Sequence, residues 1–124
     1  MTSFDRPLSG DTMVFDLAGE TRTARSARAD GDSRRTARTL LKDGPLRMTL
    51  IVLEPGAEMA EHAAPGPITV QPVEGIIRFR AGADDEQVLE PGQVLSARAG
   101  VRHSVSSDDG AAFLLTVVIP ERVT

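Results

Sequence analysis

A chain of 124 residues fits one domain, and a domain of this size buries enough surface for a single core without staples. Cysteine, tyrosine and tryptophan are absent and Lys42 is the only lysine, which excludes disulfides and thiolate chemistry and leaves acid–base work to His, Asp and Glu. A formal net charge of −4 and a pI near 5.1 argue against broad binding to nucleic acid, which needs an excess of cations to neutralise phosphates.

The N-terminal MTSFDRPLSGDT has no apolar signal-like run, and no later run approaches membrane-spanning length. The expectation is a soluble cytoplasmic protein with no nucleic-acid or membrane partner. Residues 1–11 read as irregular. Thr12–Ala18 (TMVFDLA) reads as a first strand or a tethering arm, and a short helix fits between Gly19 and Ala29, where Ala, Glu and Arg favour it. Arginines at 22, 25, 28, 34, 35 and 38 suggest an anion or nucleic-acid patch. Asp30 and Asp32 interrupt the run and no aromatic offers stacking, so a solvated face is the better reading.

Strand signals then repeat to the C-terminus. Thr36–Leu41 leads through the turn Lys42-Asp43-Gly44-Pro45 into Leu46–Leu53, where Leu46, Met48, Leu50 and Val52 share one face. Further short strands are expected over Ala57–His62, Ile68–Val73, Gly75–Arg80, Gln87–Leu89, Gln93–Ala97, Arg102–Ser106 and Ala112–Ile119. Gly, Pro or acidic residues punctuate each interval. Regular short strands of this kind indicate one all-β sandwich or barrel, a jelly roll. Residues 1–45 supply the arm and first strands of that domain, and 46–120 its conserved barrel.

Two segments concentrate the chemistry. GAEMAEHAAPGPITVQPVEG (56–75) carries His62, and GQVLSARAGVRHSV (92–105) carries His103, the only two histidines. The spacing of Gly56, His62 and Gly75, and then of Gly92, Gly100 and His103, resembles the two motifs of the cupin superfamily. More narrowly, the segments resemble small single-domain bacterial cupins. That resemblance implies a double-stranded β-helix barrel, often a homodimer, with the two histidines converging inside it. It implies no activity. Metal-binding cupins use two histidines and a glutamate from the first motif and one histidine from the second. Here the second histidine position is Ala64 and the glutamate position is Ile68, while Arg98 and Ser107 replace the second motif's proline and asparagine.

Two functional expectations follow. In the first, the barrel binds a small organic molecule with His62 and His103 as polar anchors. Its walls come from Met48, Leu50, Ile68, Ile77, Phe79 and Val105, with Gln71 an added polar contact if the Pro65-Gly66-Pro67 corner shifts the register. In the alternative, His62 and His103 hold a divalent ion (Fe, Mn, Ni, Cu or Zn), completed by Gln71 or water, in an oxygenase- or isomerase-type enzyme. No complete ligand set for a metal or other cofactor is present. Ser104 abuts His103 but faces away on a strand, so a Ser–His nucleophile pair is not expected. The homodimer would exchange TMVFDLA to cover strand edges.

Overall fold

The structure, a computed structural model, describes residues 7–27 and 34–120. Within them the chain runs α1 (Leu17–Ala27), β1 (Arg35–Asp43), β2 (Leu46–Leu53), β3 (Glu58–His62), β4 (Ile68–Gly75), β5 (Ile77–Arg80), β6 (Glu86–Leu89), β7 (Leu95–Ala97), β8 (His103–Ser106) and β9 (Ala111–Val118). Every expected strand from Thr36 onward is present, because glycine and proline mark its ends. At Gly44, between β1 and β2, φ is +58°, a left-handed turn that glycine adopts without a Cβ penalty. At Gly75 φ is +75°, and a Cβ there would lie 2.4 Å from the Gly110 carbonyl oxygen.

The strands form two antiparallel sheets. One has the order β1-β2-β9-β4-β7, the other β3-β8-β5-β6. Their facing sides enclose the main core: Ile51 and Leu53 from β2, Ile68 and Val70 from β4 and Phe113 from β9 meet Ile77, Phe79, Leu89 and Val105 of the smaller sheet. Each such side chain contributes roughly 1.5–3 kcal/mol by leaving water. This is the all-β jelly-roll barrel that the spacing predicts, with β1 continuous with the larger sheet.

The outer face of the larger sheet is also covered, which corrects two readings. Thr12–Ala18 is not a strand. Asp16 starts α1, its carbonyl accepting the Glu20 N–H at 2.8 Å, and its carboxylate folds over Gly19 as an N-cap does. Phe15 and Leu17 pack on Leu40, Leu50 and Leu114 of the same chain, while Val14, between Met13 and Phe15, is exposed. Met48 and Leu50 belong to this outer cluster and not to the barrel interior. Their shared face is as expected, but from Leu50 to Leu53 both parities are apolar and all four residues are buried. A strand covered on both sides carries no alternation to say which face is inward.

Of the arginine run, Arg25 pairs with Glu74 at 2.6 Å, Arg38 with Glu20, and Arg34 donates to the Pro55 carbonyl. Arg28 lies outside the described residues. The run serves in part to clamp α1 to the sheet, as the acidic partners allow. Among the described residues no helix is long and apolar enough to cross a membrane.

Candidate functional site

His62 reaches the barrel interior through an irregularity in β3. Along the β3–β8 ladder Met59 pairs with Val105, but His62 pairs with His103, so β3 holds one more residue than its partner over that interval. This is a β-bulge. Ala60 and Glu61 both fall on the exposed side, and His62 turns inward beside Met59. His103 needs no such device: β8 alternates regularly, with His103 and Val105 buried and Ser104 facing out.

The two imidazoles meet edge to face, ring centroids 4.3 Å apart. Phe79 stacks on His103 at 4.8 Å with the planes 19° apart. Each ring is oriented by its own backbone. His62 Nδ1 lies 2.8 Å from the Ala60 carbonyl oxygen, and His103 Nδ1 lies 3.0 Å from that of Val101. A carbonyl only accepts, so both neutral rings carry the proton on Nδ1 and leave Nε2 as a lone-pair acceptor. Neither Nε2 has a partner among the described residues. His62 is half-buried, and His103 as a whole is only 4% exposed. Burial, and then the nearby His62, push the His103 pKa below its ordinary value, against the opposing pull of the Val101 carbonyl.

The inward-facing neighbours of this pair along the ladder, Met59 and Val105, are apolar. Met59, Ala64 and Ala81 are partly buried and pack on the main core. The Ala64 carbonyl, two residues past His62, accepts the Gly100 N–H at 3.0 Å, which ties the 63–67 corner to the loop before β8. Ile68, Ile77, Phe79 and Val105 face inward as expected, each at most 3% exposed, but they fill the core beneath the histidines. Sequence reasoning missed Met59 and Ala81. Met59 has the right parity only once the bulge is known, and Ala81 carries no chemical signal.

Gln71 does not join the site. Ile68 keeps the inward parity and Gln71 is exposed on the opposite face; the ladder shifts only later, between Pro72 and Glu74. Glu61 also faces out, paired with Arg102 at 3.1 Å. Among the described residues no three of His, Cys, Asp or Glu come together. The divalent ion of metal-binding cupins therefore does not fit: two neutral imidazoles supply too few donors and no anion to offset its charge.

A second recess of about 390 Å³ lies outside the barrel between β4, β7 and β9. Thr116, Thr69 and Ser96 stand in register across those strands along it, near Arg98. It offers hydroxyls and a guanidinium but no general base.

No protein-family model matches the chain, and no curated protein matches it. Solved structures do. A conserved Streptococcus pyogenes protein of unknown function is similar over 94% of this chain and 95% of its own, at 24% identity and a TM-score of 0.72. A double-stranded β-helix protein from Klebsiella pneumoniae is similar over 87% of this chain and 90% of its own, at 17% identity and a TM-score of 0.69. A cupin superfamily protein from Desulfitobacterium hafniense matches 77% of this chain and 86% of its own, at 17% identity and a TM-score of 0.68. The chain has the cupin fold.

Proposed function

We propose that the protein binds a small organic molecule at the barrel mouth, anchored by Nε2 of His62 and His103, with no resident divalent metal. The observation that carries this reading is His103, a residue only 4% exposed whose Nε2 has no partner among the described residues. A buried polar group left unpaired is costly, and native structures satisfy nearly all of them with protein, water or ligand. The filled core beneath sets the ligand at the mouth, over His62, Met59 and Ala64, and not deep within the barrel. Among the described residues no third His, Cys, Asp or Glu stands beside the two histidines to serve a metal-dependent oxygenase or isomerase.

The test is native mass spectrometry with elemental analysis, on protein purified without chelator. The expected result is an organic adduct that His62→Ala and His103→Ala both lose, and well under one equivalent of Fe, Mn, Ni, Cu or Zn. Stoichiometric metal that either change removed would overturn the reading. The proposal includes a homodimer, since β1, β7, β3 and β6 each end a sheet with one unpaired edge; light scattering giving a monomer mass would remove that part.

A further inference from the structure

Resting on the mouth as a ligand site, we infer that its ligand is an uncharged molecule bearing two hydrogen-bond donors, and that the site rejects carboxylates and phosphates. The inference comes from what the mouth offers. Both Nδ1–H groups are already given to the Ala60 and Val101 carbonyls, so each imidazole presents only an acceptor. The ring centroids are 4.3 Å apart, so one small scaffold matches the size of the pair.

No side-chain donor among the described residues offsets these two acceptors. Met59, Ala64, Ala81 and Phe79 are apolar or at most weak acceptors. Gln87, opposite Phe79 in the β5–β6 pair, donates its amide to Asp85, and Ser107 donates to the Ile76 carbonyl. Of the nearby cations, Arg102 is engaged with Glu61 and Arg80 with Glu86 on the outer side, and Arg98 lines the outer recess with Ser96 and Thr116. An anion entering here would leave water with no cation or N–H to meet it, facing two lone pairs. A hydroxyl or amide N–H gains a partner at each Nε2 instead. Phe79 stacks beneath His103, 4.8 Å between centroids, and holds that ring in place from the core side.

The test uses four matched probes, catechol, phenol, anisole and benzoate, at a pH where imidazole is neutral, read by nitrogen NMR of histidine-labelled protein. In the free protein both histidines should show protonated Nδ1 and bare Nε2. Catechol should move both Nε2 signals and bind most tightly. Phenol should be weaker, anisole weaker than catechol by about tenfold or more, and benzoate undetectable at concentrations where catechol saturates. Benzoate binding as well as catechol, or a proton on either Nε2 in the free protein, would overturn the donor inference and leave a ligand site standing. If none of the four moved either histidine, the mouth would not be a ligand site and both readings would fall.

Discussion

Replacing His103 with phenylalanine keeps a ring against Phe79 and removes the one buried titrating group of the site. The pKa of His103 is lowered from the ordinary value of 6.5, first by burial and then by His62. As pH falls below that value, the unfolded chain takes up a proton while folded His103 does not. The stabilisation is therefore complete above about pH 6.5 and is lost as pH falls toward the lowered folded pKa. One proton sets the limit: the slope cannot exceed about 1.4 kcal/mol per pH unit within that window. At about pH 8 the same substitution forfeits the 3.0 Å bond to Val101, about 0.5–1.5 kcal/mol, and relieves an unpartnered buried acceptor, about 1–3 kcal/mol. The net change there lies between about −0.5 and +2.5 kcal/mol of stability. Urea unfolding followed by circular dichroism suits a chain with no tryptophan or tyrosine. Measured near pH 8 and again near pH 5, the variant should gain on the wild type as pH falls, because the carboxylates titrate alike in both. Equal acid sensitivity in the two proteins would refute the reasoning.

Gly66→Ala should lower the melting temperature by at least about 4 °C, since its Cβ would lie 1.6 Å from the Val118 carbonyl oxygen and backbone must shift; an unchanged thermal scan would contradict the packing of that corner. Leu50→Ala should destabilise by about 2–5 kcal/mol through a cavity under Phe15 and Leu17, yet leave catechol's effect on His62 and His103 intact, as NMR on the folded variant would check. Ala64→His with Ile68→Glu gives the chain the three histidines and carboxylate that metal-binding cupins use. Without metal the buried glutamate should destabilise the fold, and adding zinc or manganese should raise the melting temperature again; indifference to both ions would show that the four positions do not converge.

The barrel was legible because its punctuation is chemical. Asp43-Gly44, Glu54-Pro55-Gly56 and Glu90-Pro91-Gly92 stop strands wherever they occur in the chain. Facing was legible only where one side of a strand is wet. His103 and Val105 alternate with Ser104 and Ser106, and the structure keeps that parity. In β2 the cover of α1 and the arm makes the outer face as apolar as the inner. Alternation alone therefore puts Met48 and Leu50 on the wrong side, while Ile51 and Leu53 line the barrel.

The site itself turns on a feature that periodicity cannot see. Counting by twos from the inward Met59 places Glu61 in the barrel and His62 in solvent. The extra residue in β3 reverses this, sending Glu61 out to Arg102 and His62 in to His103. The bulge thus decides whether the mouth holds a carboxylate or an imidazole, and so which charge of ligand it can accept. Only the motif spacing signalled the convergence of the two histidines, because it records where a bulged strand delivers its side chains. The loss of the other two ligands was plain in the sequence at Ala64 and Ile68. Which nitrogen each remaining imidazole exposes was not, since that depends on the Ala60 and Val101 carbonyls and hence on the fold.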